Sequence, residues 1–323
     1  MRQVIGVDLG GTQIRVASAR TDGTIVRRLA RLTYAADGPD RVLDRIRALV
    51  RTLAANGGAS AIGVGVPGPT DPFKGVLLMG PNLPGWKNVN LVHELAVLPG
   101  AEVYVGNDAN LAALAEHRYG AGRGTEHMVY ITVSTGIGAG VIVNGDLLLG
   151  RQGLAGELGH MTIDLQSDAP EHGLVGTLEG LASGPNFAHR ARIALRDGAQ
   201  SAAVEIAGGD VDAVTPAVLS RAADAGDEFA RECYQNVGTM LGVGIVNILH
   251  TFNPERIVIG GGVWLHCRRL LEPPMWEVIH ERAKATAYWE DLDIVTAAFG
   301  DEVGLLGAVA LAADGVQKAE SEE

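Results

Sequence analysis

Several short stretches of this chain set acidic, hydroxyl or imidazole side chains beside glycine, and each suits a definite chemistry. Asp8-Leu9-Gly10-Gly11-Thr12 ends an apolar run with a carboxylate and then bare backbone whose N–H groups can converge on one acceptor. That suits Mg²⁺ and phosphate oxygens, and equally an ordinary hairpin turn. Ser134-Thr135-Gly136-Ile137-Gly138 offers hydroxyls and glycine in the same way. Gly260-Gly261-Gly262-Val263 follows a strand and would open a helix N-terminus to an anion or an adenosine. Asn107-Asp108 stands where a strand meets a helix, as an N-cap or as a carboxylate base at the strand's carboxyl end. Glu157 and His160, three apart, are donors and acceptors for hydroxyl groups or simply a polar stretch of loop. Glu179 interrupts the apolar run Leu178–Ala182, where a carboxylate needs partners.

The elements that carry these residues follow from periodicity. Val4–Leu9 and Ile14–Ser18 flank a glycine turn and read as a β-hairpin, with a third strand at Ile25–Thr33. Val42, Ile46, Leu49, Val50 and Leu53 recur at helical spacing between Pro39 and Asn56. Ala61–Val66 is a buried strand, residues 70–100 read as loop-rich, and Val103–Val105 leads into a helix from Ala109 to about Tyr119. The opening pattern then returns at Met128–Val143, with Ser134 opposite Asp8, as a weak internal repeat. Asp227–Phe252 is a long helix whose glycines at 238, 242 and 244 let another backbone approach. Asp301 is placed to cap a last helix through about Ala313, leaving Lys318–Glu323 as a charged, frayed tail.

Composition bounds the rest. The 323 residues are 47% hydrophobic and 20% charged, enough apolar material for two domains and too much for disorder. A net charge of −12 argues against a broad nucleic-acid-binding surface. Glycine, at 44 residues, is about twice its usual share. Two cysteines, Cys233 and Cys267, make neither a disulfide framework nor a thiolate zinc cage and fit a reducing cytoplasm. The most apolar run, Met128–Val143, is broken by polar residues and glycine, so a soluble protein with no membrane partner is expected. No G-x-x-x-x-G-K-[ST] occurs, which excludes a P-loop.

In their order along the chain these segments resemble the ROK family of sugar kinases and repressors, within the actin-like ATPase superfamily. The resemblance runs from Val4 to about Ala313. It is most specific from Gly106-Asn107-Asp108-Ala109-Asn110 through Ser134–Gly140 to Gly156-Glu157-Leu158-Gly159-His160. It implies a two-lobed α/β fold of ribonuclease H-like type, with mixed sheets and an interlobe cleft. The small lobe would comprise residues 1–108 and 301–318, and the large lobe 109–300. It further implies a cytoplasmic, homodimeric enzyme of carbohydrate metabolism and glycolysis that phosphorylates a hexose with ATP and Mg²⁺.

Carried over by position, Asp8 would organise Mg²⁺, while Gly10, Gly11 and Thr12 would contact phosphate. Thr135 and Gly136 would form a second phosphate loop, and Gly261 and Gly262 would lie by the adenosine. Asp108 would be the general base, and Asn82, Asn107, Glu157, His160 and Glu179 would hold the remaining sugar hydroxyls. Asn82-Leu83-Pro84-Gly85-Trp86 resembles the corresponding loop of glucose-phosphorylating members. N-acetylmannosamine, N-acetylglucosamine or another hexose is the nearest alternative, and a non-catalytic sugar-sensing regulator a more distant one.

Two departures from the family stand out. The cysteine positions of its zinc loop hold Pro170, His172 and Thr177, so no structural zinc is expected. Packing of Leu174, Val175 and Leu178 would have to order that loop instead. The repressors' N-terminal DNA-binding extension has no counterpart before the strand at Val4, so no nucleic-acid partner is expected.

Overall fold

The structure, a computed structural model, describes residues 2–55, 57–81, 83–167 and 172–322. The chain forms two compact units, one of residues 1–126, 140–156 and 297–323, the other of residues 127–139 and 157–296.

The first unit opens with a three-stranded meander, β1 (Gln3–Leu9), β2 (Gln13–Arg20) and β3 (Ile25–Leu32). Helix α1 (Pro39–Ala54) starts on a proline and buries the predicted stripe of Val42, Leu43, Ile46, Leu49, Val50 and Leu53. Asn56, taken as its terminator, lies outside the described residues. Strand β4 (Ala61–Val66) follows. The stretch expected to be loop holds a small antiparallel sheet of β5 (Thr70–Asp71), β6 (Val76–Met79) and β7 (Lys87–Asn90), then a short helix α2 (Leu91–Leu95). These strands of two to four residues are too short to show alternation. Strand β8 (Glu102–Asn107) and helix α3 (Asp108–Tyr119) complete this run, and the sheet order is β3-β2-β1-β4-β8.

A second hairpin, β9 (Met128–Val133) and β10 (Ile137–Val143), leads to a short β11 (Asp146–Leu147). Helices α4 (Leu178–Ala182), α5 (Gly184–Arg196), α6 (Ala202–Ile206), α7 (Pro216–Asp224) and α8 (Glu228–Phe252) come next. They precede β12 (Arg256–Gly260), α9 (Gly262–Arg282), β13 (Asp293–Thr296) and α10 (Val303–Glu322). The second sheet has order β11-β10-β9-β12-β13. Each large sheet is therefore a hairpin followed by two parallel strands, which gives the repeat seen in the sequence a topological basis.

The glycines of α8 act as their spacing predicts. A Cβ on Gly238 would lie 2.5 Å from the Leu271 carbonyl oxygen of α9, and one on Gly242 2.7 Å from that of Met275. Gly244 instead admits the side chain of Leu178. Among the described residues no helix is long and apolar enough to cross a membrane.

Helix α10 runs past Ala313 and through the segment expected to fray. Its Val309, Ala312 and Val316 are buried with Val4, Ala19 and Ala61 of the first sheet, and that apolar face extends the helix. Contact is close enough to forbid side chains. A Cβ on Gly63 of β4 would stand 1.9 Å from the Ala308 carbonyl oxygen, and one on Gly307 2.1 Å from that of Leu111 in α3. Arg118 of α3 grips Asp314 of α10 with two bonds of 3.0 Å. Glu116, wholly buried, accepts from the backbone N–H groups of Ala121 (2.8 Å), Ala298 (3.1 Å) and Phe299 (2.9 Å), fixing the approach to α10. Gly63→Ala must push α10 off the sheet, so a loss of about 2–3 kcal/mol is expected in urea unfolding. Unfolding at the parent's midpoint would refute this close packing.

Candidate active site

In the first unit the candidate residues gather at one edge of the sheet. Strands β1, β4 and β8 run parallel, with Asp8 in register with Gly65 and Gly65 with Gly106. Asp8 and the Asn107-Asp108 junction thus leave the sheet on the same side, two strand spacings or about 10 Å apart. This is the carboxyl edge, where parallel α/β sheets present their ligands.

Asp8 is buried, and its Oδ2 accepts from Arg15 Nε at 2.9 Å and pairs with Arg15 Nη2 at 2.6 Å. Burial pushes its carboxyl above the ordinary value, and the Arg15 guanidinium pulls the other way without cancelling that. Its carboxylate also lies against Gly304 in the first turn of α10, where a Cβ would come 3.1 Å from Oδ1. Arg15 further donates to the Asp301 carbonyl. No motif in the sequence marks Arg15 as a site residue, although the hairpin register places it directly opposite Asp8.

The Gly10–Thr12 turn is fixed from outside. The hydroxyl of buried Thr33 donates to the Gly10 carbonyl at 2.6 Å, and the Thr33 N–H to that of Thr12 at 2.8 Å. Thr12 itself is exposed. Among the described residues no three His, Cys, Asp or Glu side chains group to hold a metal ion. A lone carboxylate fits Mg²⁺ that arrives on substrate phosphates, since Mg²⁺ keeps most of its other oxygen ligands from water and phosphate.

At the second junction the capping reading and the catalytic reading separate onto different residues. Asn107 is the N-cap of α3: its Oδ1 accepts from Ala109 N at 2.9 Å and Asn110 N at 3.3 Å, and its Nδ2 donates to the Gly68 carbonyl at 3.1 Å. Asp108 occupies the first helical position and is exposed, with Oδ1 accepting from Ala109 N at 2.9 Å. Asn82 lies outside the described residues.

The second unit assembles the other candidates around the turn between β9 and β10. Thr135 is exposed at its tip, and the Ser134 N–H donates to the Gly136 carbonyl at 2.9 Å. Glu179 lies beside it, its Oε2 accepting from Ile137 N at 2.9 Å. Gly159 packs on the same residue, with a notional Cβ 1.9 Å from the Ile137 carbonyl oxygen. That contact brings in the turn bearing Glu157 and His160, whose Oε2 and Nε2 stand 3.8 Å apart at the surface. Gly261, with φ +88°, has a notional Cβ 2.4 Å from the Val133 carbonyl oxygen, and Gly262 begins α9. The two glycine turns of this unit are therefore neighbours.

Hydrogen bonds hold the described residues of the loop without cysteines. Leu174 and Val175 are 61% and 53% exposed, so of the three residues expected to pack it only Leu178 is buried. The buried Asn186 side chain accepts from His172 N at 2.9 Å and donates to His172 O at 2.9 Å, Ser183 Oγ at 3.0 Å and Glu179 O at 3.1 Å. Thr177 caps α4 through Gly180 N and donates to the Leu174 carbonyl. Polar side chains reaching the backbone do here what apolar side chains do not, because the loop is too exposed to bury them. Pro170 lies outside the described residues.

The family model described as "ROK family" matches residues 4–315. A glucokinase of Thermotoga maritima is 34% identical over 312 residues, 96% of each chain. The crystal structure of a ROK hexokinase from Thermus thermophilus superposes with a TM-score of 0.83 at 32% identity, covering 98% of this chain and 99% of that one. A ROK family glucokinase from Streptomyces griseus, solved with glucose and AMPPNP, gives 0.76 at 29% identity, covering 96% and 98%. Its mixed α/β fold is that of these structures, and the chain belongs to the ROK family.

Proposed function

We propose that this chain transfers the γ-phosphoryl group of ATP to a hexose, D-glucose first, with Asp108 as the general base. It is an ATP-dependent sugar kinase. The observation that carries the assignment of the base is the division of labour at α3: Asn107 takes the cap, and the Asp108 carboxylate stands exposed at the sheet edge that also carries Asp8.

In this reading Asp108 accepts the proton of the attacking sugar hydroxyl. The oxygen so freed bonds to the γ-phosphorus, the bond to the β–γ bridging oxygen breaks, and ADP leaves with that electron pair. Bound Mg²⁺ supplies positive charge to the phosphate oxygens, and Asp8 would hold it. Gly10, Gly11 and Thr12 of the first unit, and Thr135 and Gly136 of the second, offer backbone and hydroxyl donors to phosphate. Gly261 and Gly262 lie by the adenosine. Glu157, His160 and Glu179, with Asn82 and the remaining N–H of Asn107, hold the other hydroxyls. Hydroxyl-reading partners that the bound sugar itself covers give strong discrimination, because a missing hydroxyl then leaves its partner unpaired. The free thiols of Cys233 and Cys267 support work in a reducing cytoplasm. The family resemblance adds a homodimer.

Mg·ATP-dependent ADP release should appear with glucose and fall by about 10²- to 10⁴-fold in kcat for Asp108→Asn, with KM for ATP little changed. Turnover on N-acetylmannosamine or N-acetylglucosamine alone would replace the substrate. Sugar binding without any turnover would replace the enzyme with a regulator.

Asp8 should show a cost in stability for its role. Because its folded carboxyl is raised, the stability it contributes is full below the unfolded value and is lost as pH rises through the folded one. Asp8→Asn should therefore lose activity yet melt no lower than the parent at neutral pH. Any advantage in Tm should narrow on acidification from neutral pH toward about pH 4, as the parent's carboxyl protonates. A Tm gap that widens on acidification would contradict this.

A further inference from the structure

Glu179 has a structural bond that its assignment to a sugar hydroxyl does not use. Its Oε2 accepts from the Ile137 N–H at 2.9 Å, inside the β9–β10 turn. The same oxygen would sit 2.5 Å from a Cβ at position 136, so glycine there leaves the space that this carboxylate fills. Oε1 faces the other way, toward Gly173, where a Cβ would come 3.1 Å from it. One oxygen thus belongs to the turn, and the other is left for a ligand.

The turn is gripped a second time by the same short segment. Gly184 N donates to the Ser134 carbonyl at 2.9 Å, so residues 179–184 hold the turn at both ends. That segment is itself anchored. Asn186 Nδ2 donates to Glu179 O at 3.1 Å, and the half-buried Arg190 donates to the carbonyls of Gly180 (3.1 Å) and Leu181. A shift of the Glu179 carboxylate therefore moves the Gly136–Ile137 backbone, because little else in the segment can yield.

We propose that Glu179 is a positioning residue for the nucleotide as well as a sugar contact, coupling the two substrates through its bond to Ile137. The inference rests on the reading of Thr135 and Gly136 as a phosphate loop and of Glu179 as a sugar ligand. A hydroxyl donating to Oε1 fixes the carboxylate, the carboxylate fixes the turn, and the turn presents its donors to phosphate. By linkage, each substrate then raises affinity for the other by the same factor.

Calorimetric titration of Mg·AMPPNP into the parent, Glu179→Ala and Glu179→Gln, each with and without glucose, tests this. Without sugar, Glu179→Ala should bind the nucleotide about tenfold more weakly, the effect of one charge-assisted hydrogen bond. Glucose should then no longer tighten nucleotide binding. Glu179→Gln keeps an oxygen that can accept from Ile137 N, so its sugar-free nucleotide affinity should stay within about twofold of the parent's. A residue that only touched sugar would leave sugar-free nucleotide binding unchanged in both variants, and that result would overturn the proposal. A parent that binds no nucleotide would overturn the kinase reading and this inference together.

Should Glu179→Ala fail to fold, Gly136→Ala approaches the same bond from the turn. Its Cβ displaces the carboxylate tip, so glucose affinity measured without nucleotide should fall by about fivefold or more. Parental glucose affinity in that variant would equally sink the coupling.

Discussion

The close approach of α10 to the first sheet is the constraint on which the first unit depends. Glycine at 63 and 307 lets helix backbone lie on strand and helix backbone with nothing between. A helix seated this way has one axial position, since a shift of one residue would bring a side chain where only hydrogen fits. Its first turn is placed accordingly, and Gly304 meets the Asp8 carboxylate. The same seating holds α3, through Gly307 against Leu111 and the Arg118–Asp314 pair, and α3 begins at Asp108. Both carboxylates assigned to the phosphoryl transfer are therefore set by the seating of one helix.

The second unit reaches comparable order by a different physical route. Its turns are exposed, so burial offers little, and side chains hold backbone directly. Glu179 on Ile137, Asn186 on both sides of His172, and Thr177 on Gly180 and Leu174 each replace solvent at a backbone group that a loop would otherwise leave to water. Asn186 does this with a single side chain. An amide that donates and accepts across one peptide unit fixes a loop without demanding thiolates, and it is indifferent to metal supply and to oxidation.

Much of this was legible in the residues. The hairpins, α1 and α8 follow from periodicity and turn chemistry, and the glycines of α8 announced a close neighbour before the neighbour was known. The repeat was visible because both copies keep a strand, a glycine turn and a returning strand. The pairings that make the site precise were harder. Glu179 and Ile137 are 42 residues apart, and no local pattern links them. Leu174 and Val175 read as core by type and are exposed, because hydrophobicity predicts burial only where a second layer is present to cover it. The small sheet of β5 to β7 was missed for want of length. Arg15 could have been found, since hairpin register alone sets it against Asp8.

Helix α10 also fixes an order of events. The strands of the first sheet lie within residues 3–107, yet Val4, Ala19 and Ala61 are buried with Val309, Ala312 and Val316, beside the partly buried Tyr104 and Tyr119. On the ribosome those early strands emerge nearly two hundred residues before their cover does. A nascent chain must carry an apolar sheet face through most of its synthesis, a natural target for a holdase chaperone. Translation that stops short of the last helix leaves that face open, which marks the unfinished product for proteolysis.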